Sequence, residues 1–244
     1  MSAFRVIGLD FWNTLYIHSH SPESRGRVRR NAIVESCKAL SIQDHEPIAA
    51  SFFETADNFI KRTWSSGRAP SRNEVVRACI AQFQGRLNEL TCRSILEVLE
   101  NLYLTKIQPR LLPGARTFVE KIASSRKLCV VSDTYFVPGR ILRMLMKQDG
   151  VLHFFEDLCF SDEMGHKKPS THSFIMLMRK YGCKPSEFLY IGDDLETDYG
   201  AASQLQIPFI HFDRNTVSEK PPSLPSLLGR VQTYGEALEL MGVR

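Results

Sequence analysis

No CxxC pair occurs among the six cysteines, Cys37, Cys79, Cys92, Cys129, Cys159 and Cys183, so the ligand spacing of a structural zinc site is missing. Several of them sit in apolar strings, as in LCVV and DLCF, which suits reduced, buried thiols and a cytoplasmic location rather than a disulfide framework. No apolar run approaches the roughly 20 residues of a membrane span. The opening MSAFRVIGLDF lacks the basic-then-apolar layout of a secretory leader, so neither a membrane partner nor export is expected. There is no internal repeat and no low-complexity tract. Neither sign of charge dominates: 31 Lys and Arg against 27 Asp and Glu leave +4, which suits an acidic small molecule as well as a nucleic acid. No aromatic or glycine-rich binding module accompanies the basic residues, so nucleic acid is not the expected partner. With 43% hydrophobic and 24% charged residues, composition excludes a disordered or fibrous chain. The 244 residues can hold one large domain or one domain plus an insertion.

What is present is a series of short apolar runs that end on polar residues or glycine. FRVIGLD (4–10), LCVVSD (128–133), DLCF (157–160), FLYIGDD (188–194) and PFIHF (208–212) predict buried strands of a parallel sheet. Helical stretches lie between them. Phe174, Ile175, Leu177, Met178 and Tyr181 share one helix face, and Pro113-Gly114 precedes a helix through Phe118, Val119 and Ile122. This alternation predicts a doubly wound, mostly parallel α/β domain. Residues 17–108 break the rhythm. They contain no convincing strand, and Ile95, Val98, Leu99 and Leu102 follow helical spacing, as do Phe52, Phe53, Ala56, Phe59 and Ile60. About four helices are therefore expected as an inserted cap, with residues 65–71 as a loop inside it and residues 16–24 as a hinge loop. The core would be residues 1–16 and 109–244. The tail, with Pro221-Pro222 and Pro225, reads as a loop leading to a short helix near 234–241.

Ligands in such sheets gather at the carboxyl ends of the strands. Those ends carry Asp10, Ser132, Asp133, Asp193 and Asp194, and Lys168 stands before Pro169. Read in order, Asp10-Phe-Trp-Asn-Thr14-Leu, Ser132 after two valines, Lys168-Pro169 within Gly165-His-Lys-Lys-Pro, and Gly192-Asp193-Asp194-Leu-Glu-Thr-Asp198 resemble the four motifs of the haloacid dehalogenase-like (HAD) superfamily. The resemblance is to the branch with a helical cap after motif one, and it covers residues 4–15 and about 110–212. It implies a hydrolase with Asp10 as nucleophile, Thr14 and Ser132 hydrogen-bonding the transferring group, and Lys168 neutralising charge. It also implies Mg2+ held by Asp10, the Trp12 carbonyl and Asp193, with Asp198 bracing Lys168 or a metal-bound water. Asp194 would be a capping or supporting residue. Asp133 would either touch the substrate or begin a helix, and Trp12 would either pack or form a wall against the substrate.

One position departs from the family pattern. Family phosphatases carry a second Asp two residues after the nucleophile, as general acid and base, where this chain has Trp12. Indole cannot protonate a leaving alkoxide, and that help is worth roughly 10²–10⁴ in rate. Three functions follow as expectations. The first is a Mg2+-dependent hydrolase of a small phosphorylated metabolite. The second is a dehalogenase of a small 2-halo acid, whose halide needs no proton. The third is a catalytically weak domain that binds a phosphorylated ligand or a protein. Asp193 and Asp198 favour the first. Arg25, Arg27, Arg29 and Arg30, at the start of the cap, form either a solvated face or a clamp on an anionic substrate. His18 and His20 follow motif one closely, and are either solvated loop histidines or a source of the missing proton. The sequence carries no signal for oligomeric state.

Overall fold

A computed structural model describes residues 4–214 and 224–243. Pro221 and Pro222, read above as part of the tail loop, lie outside the described residues. The elements in chain order begin with β1 (Val6–Leu9) and β2 (Tyr16–Ile17). Four long helices follow, α1 (Pro22–Ala39), α2 (His45–Ser65), α3 (Arg72–Gln82) and α4 (Glu89–Thr105). The chain then runs through β3 (Arg110–Leu111), α5 (Ala115–Ala123), β4 (Lys127–Ser132), α6 (Gly139–Gln148), β5 (Asp157–Phe160), α7 (Ser161–Met164) and α8 (His172–Tyr181). It ends with β6 (Phe188–Gly192), α9 (Asp198–Gln204), β7 (Phe209–Phe212), β8 (Leu227–Val231) and α10 (Tyr234–Leu240).

Six strands form one sheet in the order β5-β4-β1-β6-β7-β8, every neighbouring pair parallel. From β1 the chain winds outward through β4 and β5 on one side. It returns to lay β6, β7 and β8 on the other. The direction reverses beside β1, and a crevice opens there at the carboxyl ends. The strands read as unbroken apolar runs because both faces are covered. Ile7, Leu9, Leu128, Val130, Leu189 and Ile191 face one layer, with Phe118, Ile122 and Ile141 from α5 and α6. Val6, Cys129, Val131, Phe188 and Tyr190 face the other, with Phe174 and Leu177 of α8 and Ala201 and Ala202 of α9. All six cysteines are free thiols, and five are buried.

The inserted helices start where the sequence provides caps. Ser21 accepts the Ser24 N–H at the head of α1, and Ser71 with Glu74 and Asn88 with Thr91 form reciprocal capping boxes on α3 and α4. Buried Glu100 of α4 ties the insert to the core. It accepts from Arg72 Nε at 3.0 Å and from Arg140 of α6. A second tie runs from the α2–α3 loop. Ala69 N–H donates to the Gly165 carbonyl (3.2 Å) and Lys167 N–H to the Gly67 carbonyl (3.4 Å).

Two expectations are corrected. The stretch expected as a hinge loop contains β2, which pairs antiparallel with β3 so that entry to and exit from the insert form one neck. Two-residue strands carry no periodicity, so neither was visible. The tail contains β8 before its helix; Gly229 and Arg230 interrupt the apolar pattern of this edge strand. Elsewhere boundaries moved by a residue or a few, as at β6, which stops at Gly192.

Gly8 lies mid-strand because of packing. A Cβ there would sit 2.9 Å from Phe188 Cε1 and 2.9 Å from Tyr190 Cδ2, both on fully buried rings. Gly8→Ala is expected to lower stability by about 1–3 kcal/mol through overpacking, read as a lower denaturant midpoint with an unchanged slope.

Candidate active site

Asp10 follows the last residue of β1. Leu9 is in register with Val130 of β4 and Ile191 of β6, so Ser132 and Asp193 emerge on either side of Asp10. Lys168 reaches in from the segment before α8. Its ammonium, 5% exposed, donates to Asp10 Oδ1 (2.6 Å), Asp198 Oδ1 (2.5 Å), the Tyr190 hydroxyl (3.1 Å) and the Val131 carbonyl (3.2 Å). Asp198, at the start of α9, spends its other oxygen on the Asp194 N–H (3.1 Å). Gly192 makes room for this arrangement: a Cβ there would fall 2.3 Å from Asp198 Oδ2.

The other expected residues fall into distinct places. Asp194 Oδ1 accepts from the Glu196 and Thr197 N–H groups, both at 2.8 Å, closing the turn into α9. Asp133 Oδ1 accepts the Lys168 backbone N–H (3.0 Å) and so anchors the segment that presents the ammonium. Neither Thr14 nor Ser132 caps a helix. Both hydroxyls are buried, and neither has a hydrogen-bond partner among the described residues. Trp12 is half-buried, edge-on to Phe11 and stacked on His18 with ring centroids 4.4 Å apart. It lines a cavity of about 440 Å3 between core and insert, together with His18, Arg25, Arg29, Phe53 and Thr134.

Several supporting groups were not expected. Asn13, at φ 54°, donates through Nδ2 to Asp193 Oδ2 (2.8 Å); Asn tolerates that left-handed backbone better than most residues. His211 Nε2 lies 2.9 Å from the Asp193 carbonyl, and the Tyr234 hydroxyl donates to the Thr14 carbonyl (2.6 Å). A histidine inside FIHF and a tyrosine inside FLYIG were the available signals, since each puts a polar group into an otherwise apolar strand.

Three carboxylates, those of Asp10, Asp193 and Asp198, bring oxygens within 4.8 Å of one another around one ammonium. Burial pushes the Asp10 carboxyl up, to about 8; Lys168 opposes the shift, and Asp198 and Asp193 add to it. Burial raises Asp193 and Asp133 as well. Burial also works against the Lys168 ammonium, but Asp10 and Asp198 outweigh it and hold that group well above its ordinary value. The donor set fits Mg2+. All donors are hard oxygens, and because Asp198 is engaged on both oxygens, the carboxylates of Asp10 and Asp193 are those left for a cation.

The fold and these residues define a class. Residues 4–206 match the family model of the haloacid dehalogenase-like hydrolases, and the chain belongs to that family. It is 33% identical to the glyceraldehyde 3-phosphate phosphatase of Methanopyrus kandleri over 73 residues, 30% of this chain and 31% of that protein. The match thus spans about a third of that relative's length. Among solved structures it resembles the 2-haloacid dehalogenase of Pseudomonas syringae (TM-score 0.68, 15% identity, 98% of each chain). It also resembles the HAD-hydrolase YfnB of Bacillus subtilis bound to magnesium (TM-score 0.60, 16% identity, 98% of this chain and 99% of that one). At such identities the likeness is one of fold. No helix among the described residues is long and apolar enough to cross a membrane.

Folded Asp10 retains a proton between about pH 4 and 8 that the unfolded carboxyl, at its ordinary 3.8, has shed. Stability of the metal-free protein is therefore expected to fall as pH rises through that window. Denaturant midpoints from pH 5 to 8 in chelator check this. Asp10→Asn should flatten the slope in part, since Asp133 and Asp193 contribute in the same direction.

Proposed function

We propose that the chain hydrolyses a small phosphate ester through Asp10, with Mg2+ as cofactor. The observation that supports this reading is that the hydroxyls of Thr14, four residues after Asp10, and of Ser132, at the end of the neighbouring strand β4, are buried and without a partner among the described residues. Leaving a buried polar group without a partner costs about 1–3 kcal/mol. Phosphoryl oxygens supply the missing partners. In this reading Asp10 attacks phosphorus as the bond to the ester oxygen breaks, the alkoxide leaves and takes its proton from solvent, and water then cleaves the aspartyl phosphate to return the carboxylate and inorganic phosphate. Lys168 offsets the negative charge of Asp10 and the phosphoryl group, and Asp198 with Tyr190 fixes its position. Asp10, Asp193 and the Trp12 carbonyl would hold Mg2+, which when bound screens the carboxylates from the phosphoryl oxygens. The working unit would divide into a core of residues 1–16 and 109–244 and a cap of 17–108, with the substrate, a small anion, between them. A 2-halo acid gives no use for the two further carboxylates beside Asp10, which favours the phosphate ester.

Asp10→Asn is expected to lower turnover by at least about a thousandfold, measured as phosphate release from aryl and alkyl phosphates with magnesium; activity that survives Asp10→Asn overturns the reading. Because no acid stands at position 12, kcat is expected to fall steeply as the leaving group becomes more basic. Trp12→Asp should flatten that dependence, raising turnover of alkyl esters relative to aryl esters by roughly 10²–10⁴.

A further inference from the structure

The cavity lined by Trp12, two residues after Asp10, carries charged groups that the chemistry at Asp10 does not use. Of the four arginines at the start of α1, Arg25 and Arg29 are one helical turn apart and share the face that lines the cavity. Arg27 is exposed, and Arg30 points to Glu46 (3.0 Å). Among the described residues no carboxylate lies within salt-bridge distance of Arg25 or Arg29. Each is oriented by neutral groups instead. Arg25 Nη1 donates to the His20 carbonyl (2.6 Å), Arg29 Nη2 donates to the Tyr103 hydroxyl, and the Arg29 guanidinium lies 4.3 Å above the Phe53 ring. Both Nε–H groups are buried without an acceptor. The one carboxylate lining the cavity, Asp57, is already committed to Lys61 (2.6 Å) and the Tyr135 hydroxyl (2.7 Å). The cavity thus holds two guanidinium forks that no carboxylate among the described residues pairs with.

Resting on the reading above, we propose that the substrate is a phosphate ester with a second anionic group, carboxylate or phosphate, at its far end, and that Arg25 and Arg29 bind that group. A guanidinium fork matches either anion by paired hydrogen bonds. Removing two such charges from water without a counter-ion is costly, and a substrate anion offsets it. His18, stacked on Trp12 with ring centroids 4.4 Å apart, lines the same cavity. Trp12, Phe53 and Phe136 line it as well.

The test compares kcat/KM, with magnesium, for esters differing by one distal anion. The pairs are 3-phosphoglycerate against glycerol 3-phosphate and fructose 1,6-bisphosphate against fructose 1-phosphate, with p-nitrophenyl phosphate reporting the site itself. The ester bearing the second anion should be preferred about ten- to a hundredfold in at least one pair, and the pair that responds separates carboxylate from phosphate. Arg25→Gln with Arg29→Gln should shrink the preference to about threefold or less, and Arg29→Lys should retain part of it. Hydrolysis of p-nitrophenyl phosphate without a preference in either pair overturns the inference and leaves the phosphatase reading standing. If no ester turns over, the phosphatase reading falls. Calorimetric titration of the Asp10→Asn protein with the same pairs then decides the inference: a tenfold tighter fit of the doubly anionic ligand upholds it, and equal affinity overturns it. Because the preference is measured first on the unaltered protein, poor folding of an arginine variant does not obscure the result.

Discussion

One buried ammonium group organises this molecule. Lys168 Nζ meets Asp10, Asp198, Tyr190 and the Val131 carbonyl, four groups from four segments scattered over nearly 190 residues of chain. A buried charge is tolerated only where partners saturate it, and removing one partner of such a set typically costs about 3–5 kcal/mol. The parallel sheet provides those partners cheaply. With β4, β1 and β6 in register, Val131 and Asp10 arrive at one level, and Tyr190, two residues lower beside Gly8, reaches the ammonium with its hydroxyl. The same registration delivers Ser132 and Asp193, so the geometry of the site follows from strand order as much as from the identity of its side chains.

The parts legible in the sequence are those with a repeated physical signature. Buried strands ending on Asp10, Ser132 and Gly192 were visible because a sheet covered on both faces needs unbroken apolar runs, and helical spacing gave α4, α5 and α8. The side chains singled out by motif, Asp10, Lys168, Asp193 and Asp198, do lie together. What was not legible had no pattern to show. The β2–β3 neck is two residues a side, and β8 is an edge strand broken by Gly229. Asn13 and His211 each act through one hydrogen bond, and Tyr190 through its contacts with Lys168, Val131 and Asp198, with partners as far as 180 residues away. No local spacing encodes such a contact; only a polar atom in an apolar strand hints at it. The arginine cluster at the start of α1 was ambiguous for the opposite reason. A solvated face and a cavity wall look alike in sequence, and the helix splits the cluster between the two.

Trp12 is best understood together with the space above it. At a position where an acid would serve proton transfer, the chain places a flat ring against His18, and this ring becomes part of the cavity wall. The cluster around Lys168 is polar and crowded with opposing charges. The cavity wall is aromatic and cationic. In the proposed reading the insert would supply the binding of the substrate and the sheet the chemistry.

The pairing of Gly67 and Ala69 with Gly165 and Lys167 gives the insert a leash on the core. Its two main-chain bonds, at 3.2 and 3.4 Å, are long and therefore weak, and one of them ends on the residue next to Lys168. Any swing of the helices away from the sheet would have to break this leash as well as the Glu100–Arg140 tie. The α2–α3 turn, remote along the chain from Asp10, thus lies one peptide unit from the residue that carries the buried ammonium.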